Sequence, residues 1–460
     1  MRHPIGGETL RAIKQDKANV TVVDGFLAVC IIFSALIPMR LSLGGYTVAY
    51  YLPFVAFLLL VLSNARIEFT GILKNKYAVV GACIVAAVCL VNGEMGDYYS
   101  FFFPRAMLLI CGYLFVSTKE RFDLLIETAV VFFATLGFFA IIESVFCFNI
   151  FDVICGDYVQ YEAANALRFG LARVRSISTI SLNFCAYLFF ASALAIYKLV
   201  HSEKRTIWKV CYVLICAGAL LTLSRVPILL FIAMNLVIAV WAGLVRNVER
   251  LVLIVLSLVA FYLLASVLFA DTLGKALHLF SSMLLTVFGG TSSSMPALDS
   301  NLGDSTDRMT LYVMVPQLVS GHELFGLGTS TPFEYIQANG LPKQSCENLY
   351  LYRYYTMGFV GLLGTLLFWL SYVVIGIKRI KIHASWEHGL SFSQVIPVVL
   401  IAYMLFGFDA SFGDEFRAAF LFLGVASAYY WRFSEQFSSA ECRHNLSSKF
   451  QQPSSGVSNA

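Results

Sequence analysis

The residues best placed to do chemistry in this 460-residue chain are a few arginines and one Glu-Asn pair. Arg225 stands in Leu223-Ser224-Arg225-Val226-Pro227, a turn with almost no length between two apolar segments. Pro227 presets the backbone of the helix that follows. An arginine held there has little freedom, and its planar fork of five donors suits phosphate oxygens; lipid headgroup contact is the plainer alternative. Arg173 and Arg175 precede another apolar segment in Arg173-Val174-Arg175-Ser176, where they could bind an anionic ligand or lipid headgroups. Arg308, in Thr306-Asp307-Arg308, is either a second phosphate ligand or half of a surface ion pair. Arg105, in Phe103-Pro104-Arg105, lies within an apolar span, where it either snorkels to the interface or faces an anion in a cavity.

Glu347, Asn348 and Arg353 add acid, amide and cation to the mouth of one apolar segment, Glu347-Asn348-Leu349-Tyr350-Leu351-Tyr352-Arg353. A carboxylate there could complement a helix dipole, or act as a general base beside an anion. Asp409, Asp414 and Glu415 are the rival carboxylates. No zinc-type His/Cys spacing, phosphate-binding glycine loop or Ser-His-Asp order is visible, so the reading includes no metal and no cofactor.

The elements that must position these residues are membrane helices. Hydrophobic residues make up 59% of the chain and charged ones 13%, against roughly 25% charged in a soluble domain. A run of about 20 apolar residues spans the hydrocarbon. About twelve such spans are expected, near 20–39, 45–63, 77–92, 98–116, 124–148, 178–199, 207–224, 226–244, 251–270, 347–377, 393–409 and 416–433. The fold class is therefore all-α, a single polytopic membrane domain over 1–460. Cations recur in every second loop (Lys74 and Lys76, Lys119 and Arg121, Lys204 and Arg205, Arg246 and Arg250, Lys378 and Arg379). The positive-inside rule then places both termini in the cytoplasm. The polar N-terminus leads into a retained first helix rather than a cleaved signal. The net charge of +4 is spread over loops, which argues against a nucleic-acid partner.

Two exterior loops are long, about 149–177 and 271–346, and a polar tail runs over 434–460. In the second loop, Asp304 and Ser305 are candidate caps for a short amphipathic helix presenting Met309, Tyr312, Val313 and Leu318. It is followed by the turn-like Phe325-Gly326-Leu327-Gly328. Gly358, Gly361 and Gly364 form a small-residue stripe, which predicts close helix packing. Neither an internal repeat nor a midplane broken helix is evident, which weighs against a transporter or flippase for an anionic lipid. A scaffold would leave the exterior arginines without a task.

The order of these pieces resembles the O-antigen polymerase and O-antigen ligase superfamily. The resemblance is carried by Arg173-Val174-Arg175-Ser176, Leu223-Ser224-Arg225, Thr306-Asp307-Arg308, Leu324-Phe325-Gly326-Leu327-Gly328, Glu347-Asn348-Leu349-Tyr350-Leu351 and Met357-Gly358-Phe359-Val360-Gly361. It implies a metal-independent glycosyltransferase whose donor and acceptor are glycans on undecaprenyl diphosphate. Polymerases extend one lipid-linked repeat unit with another; ligases transfer the glycan to lipid A-core. The resemblance also implies membrane lipids, a chain-length regulator and a flippase as partners. It makes Arg225 and Arg308 the diphosphate-contacting arginines and Glu347 the base, where ligases and many polymerases carry a His before the Asn. That departure favours a polymerase of O-antigen, capsule or exopolysaccharide units. Arg105, Arg173, Arg175, Asn348 and Arg353 are the expected substrate-binding residues.

The charge alternation has a direct test. A cysteine placed at Ser202 should resist an impermeant thiol reagent applied from outside, and one at Ser293 should react. Exterior labelling at position 202 would reverse the assigned sidedness.

Overall fold

The computed structural model of the chain describes residues 21–37, 41–43, 46–63, 70–92, 95–155, 167–168, 171–178, 180–203, 205–243, 303–328, 348–383, 390–409 and 416–433. The expected span at 251–270 and the tail at 434–460 lie outside the described residues. The other expected spans coincide with helices: α1 (Val22–Leu36), α2 (Val48–Ser63), α4 (Lys76–Val91), α5 (Met95–Phe115), α6 (Lys119–Phe146), α8 (Ser181–His201), α9 (Arg205–Leu221), α10 (Arg225–Trp241), α12 (Leu349–His383), α13 (Phe392–Phe406) and α14 (Phe416–Ala428). A π turn, Tyr429–Phe433, continues α14. Short helices α3 (Thr70–Leu73) and α7 (Ile150–Cys155) fill connections, and α11 (Gly303–Leu318) lies in the second long loop. The two β ladders, β1–β2 (Ser42–Leu43 with Tyr46–Thr47) and β3–β4 (Leu167–Arg168 with Leu171–Ala172), are two-residue hairpins.

Helices α6, α8 and α12 are each long and apolar enough to cross a membrane, and shorter apolar helices surround them. Outward faces carry large apolar side chains such as Leu62, Val145 and Phe146, as a lipid-facing surface requires. The chain is thus a helical, membrane-embedded protein. Helix α8 is the centre: nearly every side chain along it is buried. Phe190 stacks on Phe422 of α14 with centroids 4.6 Å apart, and Phe189 meets Tyr403 of α13 edge-on. Around it, close approach depends on glycine. Gly81 of α4 faces Gly364 of α12, Gly112 of α5 and Gly424 of α14 lie against each other's helices, and Gly137 of α6 meets Gly218 of α9. Lipid offers no competing hydrophobic gain, so such backbone contact supplies the packing. Cys89, Cys111, Cys185 and Cys211 are buried among these helices as small apolar residues.

Polar contacts include Asn235 of α10 donating to Ser192 within the bundle, and others tie the helix ends. At the end assigned to the cytoplasm, Arg121 pairs with Asp24 at 2.8 Å and Lys198 with Glu127 at 2.9 Å. There too, Arg432 donates to the carbonyls of Tyr113 and Val116, capping α5. At the other end, Arg417 is 1% exposed and donates to the carbonyls of Ile37 and Ala49. It ties the α1–α2 connection to the start of α14, a role the sequence reading did not assign.

Two expectations are corrected, and the first follows from a break in α12 at Gly358, where φ is 62° and ψ −166°, nine residues after the helix begins. The glycine stripe divides accordingly: Gly364 packs on α4, Gly358 makes the break, and the three atoms nearest a Cβ on Gly361 all belong to Met357 of its own helix. Helix α11 forms where expected but buries a different face. Leu311 and Val315 are buried, whereas Tyr312 is 45% and Val313 62% exposed. Contact with Leu351 and Tyr355 of α12 selects that face.

The break has a specific complement. In an unbroken helix the N–H groups of Phe359 and Val360 would bond the carbonyls of Tyr355 and Thr356. Here Phe359 and Val360 donate to the carbonyls of Glu323 and Leu324, at 2.7 and 3.1 Å. The carbonyls of Tyr355 and Thr356 accept from Leu327 and Gly328, at 2.9 and 3.0 Å. Asn92, at the end of α4, donates to Phe325 and Thr356 and clamps the junction. A Cβ on Gly358 would collide with the backbone of Leu324, whereas one on Gly321, also at positive φ, would meet nothing. Gly321→Ala should therefore cost only about 1–2 kcal/mol of backbone preference. Gly358→Ala should lower the unfolding temperature of the purified protein considerably more, because the loop must also detach. Equal losses would mean that the junction is not sterically closed.

Candidate functional site

Two groups of cations lie at or near the end of the bundle opposite the Arg121–Asp24 and Lys198–Glu127 pairs. The first is built on the α9–α10 turn. Thr222 and Ser224 close this turn on itself, Thr222 Oγ1 donating to the Ala219 carbonyl at 2.7 Å and Ser224 Oγ to the Thr222 carbonyl at 3.2 Å. Leu223 takes a left-handed backbone, φ 49°, which a β-carbon disfavours and local packing must hold. Arg225 is consequently the first residue of α10, where the unpaired N–H groups of the helix start favour an anion.

The strand-like segment after β4 brings Arg173 to the same turn. Val174 donates its N–H to the Leu221 carbonyl at 3.2 Å, and Arg173 Nη2 reaches Ser224 Oγ at 3.5 Å. Arg175 has another task. Its Nη2 lies 2.5 Å from Asp152 Oδ2 on α7, and the Glu143 carboxylate of α6 accepts the N–H groups of Arg175 and Ser176 at 3.2 and 2.8 Å. Glu143 and Asp152 are both buried. Arg175 was expected to bind substrate; in this structure it anchors the segment that presents Arg173. The two acids escaped the sequence reading because an isolated Glu in an apolar span carries no signal of its partner.

The second group gathers at the start of α12. Asn348 is buried and caps that helix, its Oδ1 accepting from the N–H groups of Tyr350 and Leu351 at 2.9 and 3.0 Å. Its Nδ2 donates to Tyr312 Oη of α11 at 2.5 Å and to the Phe408 carbonyl beyond α13 at 3.2 Å. With both lone pairs and both N–H groups engaged, the amide joins the start of α12 to α11 and to the turn after α13. Tyr312, unremarked in the sequence as a polar partner, fixes α11 here, and Arg308 stands one turn before it on the same helix. Glu347, Asp414 and Glu415 lie outside the described residues; Glu347 directly precedes the Asn348 joint, and Asp409 is buried near it.

Arg353 and Arg105 complete the second group from below. Arg105 does not snorkel outward: it is 4% exposed and lines a cavity of about 220 Å³ with Arg353, which is 6% exposed. Arg353 Nη1 also contacts Met357 Sδ at 3.6 Å. The structure therefore brings Arg173 to the turn that precedes Arg225, and sets Arg105 and Arg353 along one cavity. Arg308 it brings next to the Asn348 joint through its helix.

Residues 210–366 match the family model described as O-antigen ligase. No curated protein matches the chain. The matched segment holds the α9–α10 turn, α11, the loop at 323–328 and the broken part of α12, so the resemblance to the O-antigen polymerase and ligase superfamily stands. That family consists of membrane enzymes that process lipid-linked glycans, ligases and polymerases alike, which supports an enzyme of this general kind here.

Removing Arg175 would leave the buried Asp152 carboxylate without this guanidinium, a loss typically worth about 3–5 kcal/mol. Arg175→Ala should accordingly destabilise the purified protein, and Arg175→Ala/Asp152→Asn should recover much of the loss in a thermal unfolding assay. If Arg175→Ala left stability intact but abolished substrate binding, Arg175 would be a ligand after all.

Proposed function

We propose that the protein is a membrane glycosyltransferase that polymerises undecaprenyl-diphosphate-linked oligosaccharide repeat units into a surface polysaccharide at the exterior face of the bacterial inner membrane. The observation that carries this reading is that Arg173 reaches Ser224 at the turn whose next residue, Arg225, begins α10 inside the segment that matches the family. A departing diphosphate needs concentrated cationic donors, and fixed guanidinium groups at a helix start provide them without a metal ion.

In the proposed reaction the Glu347 carboxylate takes the proton of a sugar hydroxyl at the nonreducing end of the acceptor. The hydroxyl oxygen attacks the anomeric carbon of the donor glycan. The bond from that carbon to the diphosphate oxygen breaks, and the lipid diphosphate leaves with its charge held by Arg225, Arg173 and Arg308. Asn348 and Tyr312 contribute by fixing α12 against α11, the helix that bears Arg308. A chain-length regulator and a flippase are the partners such a polymerase would require.

The second reading is an O-antigen ligase, favoured by the description of the matching family, in which lipid A-core would supply the hydroxyl. Purified protein given lipid-linked repeat units separates the two: ladders of extended glycan support the polymerase, and transfer only onto added lipid A-core supports the ligase.

Glu347→Gln should bind lipid-linked substrate and lose about two to four orders of magnitude in transfer rate. Arg225→Ala should lose roughly a hundredfold or more, and Arg225→Lys should recover only part, since an ammonium cannot reproduce the fork. Asp409→Asn, Asp414→Asn and Glu415→Gln are the controls. Normal transfer by Glu347→Gln with loss in one of these would move the base to the last exterior loop.

A further inference from the structure

A glutamate in an apolar helix is costly unless its charge is met, and Glu143, in Phe139-Ala140-Ile141-Ile142-Glu143 of α6, is buried. It meets backbone groups 32 and 33 residues later: Oε1 accepts the Arg175 N–H at 3.2 Å and Oε2 the Ser176 N–H at 2.8 Å. Two successive N–H groups converge on one anion where the chain turns tightly into a nest. Ser176 accordingly has φ 48°, a left-handed backbone that its β-carbon disfavours. Asn149 Nδ2, donating to the Ser176 carbonyl at 2.8 Å, and Ser176 Oγ, donating to the Leu136 carbonyl at 3.5 Å, help to hold it there. Such strain persists only where the surroundings over-determine it, and it points to a task. The task follows from what the segment carries. Val174 is bonded to the Leu221 carbonyl, and Arg173 Nη2 reaches Ser224 Oγ. Glu143 thus fixes the chain two residues after Arg173, and the Val174 bond fixes the residue between. Were the Arg175-Ser176 turn to open, Arg173 would lose its anchor on α6.

We infer that Glu143 is a positioning residue of the proposed transferase: without touching substrate, its carboxylate sets Arg173 at the α9–α10 turn to meet the donor diphosphate. The inference rests on the transferase reading and deepens it. Charge alone predicts the reverse effect, because a carboxylate near a diphosphate repels it and its removal would tighten binding. Positioning predicts weaker binding once Glu143 is neutralised. The sign of the change therefore separates the two.

The experiment is a titration of the detergent-purified full chain with undecaprenyl diphosphate, reading affinity and stoichiometry separately. A variant that merely folds poorly lowers the number of sites and leaves the affinity of the remainder unchanged. R173Q should weaken binding about tenfold, the loss expected of a charge-assisted hydrogen bond. E143Q keeps the size of the side chain but offers an acceptor to only one of the two N–H groups. It should weaken binding by about three- to tenfold with the stoichiometry retained. E143Q/R173Q should bind no more weakly than R173Q, because a group that acts through Arg173 then has nothing to act on. E143Q/R308Q should instead show the product of the two single losses, since Arg308 stands on α11. Should E143Q fail to fold, N149A releases the Ser176 carbonyl and should give a smaller loss that likewise vanishes beside R173Q. An E143Q affinity equal to or above that of the wild type, or a full further loss in E143Q/R173Q, would overturn the role of Glu143 and leave the transferase reading intact. R173Q binding like the wild type would overturn that role as well. Failure of the transferase reading would appear instead as a wild type that binds the carrier but transfers no glycan.

Discussion

The structure depends on how the backbone groups released by the break in α12 are satisfied. Gly358 lies nine residues into that helix, about 14 Å from its start, where an unpaired N–H or carbonyl is far costlier than in water. The loop at 323–328 takes up the groups at Tyr355, Thr356, Phe359 and Val360. It can do so because Gly326 and Gly358 let the two backbones approach where any Cβ would collide. This junction sets the end of α11 against α12. From there Asn348 ties the start of α12 to Tyr312 of α11 and to the Phe408 carbonyl beyond α13. The seat of α11, which bears Arg308, follows from a hydrogen-bonded weld as well as from apolar packing.

The arginines are held by different means, and the difference separates structural from chemical tasks. Arg417 and Arg432 cap carbonyls at helix ends, and Arg175 meets a buried carboxylate. Each of these secures a connection. Arg173 and Arg225 converge instead at a helix start, where the backbone itself attracts an anion, and Arg105 and Arg353 converge on an apolar cleft. Cations that share one space repel each other and are stabilised by a common anion.

Much of this was legible in the sequence. Apolar runs of membrane length mark the helices because the hydrocarbon tolerates little else, and all the expected spans among the described residues appear as helices. Leu223-Ser224-Arg225 announces its tight turn, and the family resemblance is written in the spacing of its motifs. Sequence also singled out Arg105 as a cation inside a span, while leaving open which way it faced.

What only the tertiary structure decided is which groups meet. Arg175 looked equivalent to Arg173 until Asp152 and Glu143, more than 20 residues earlier, were found beside it. The four hydrogen-bonding positions of Asn348 are filled from α11, α12 and the turn after α13, and Gly358 looked like a packing residue until the 323–328 loop met it. Periodicity and composition are local properties set by the solvent around each segment, so they determine helices. Partnership between side chains distant in sequence depends on the crossing of helices, which the bilayer does not dictate and which close backbone contact at glycines settles.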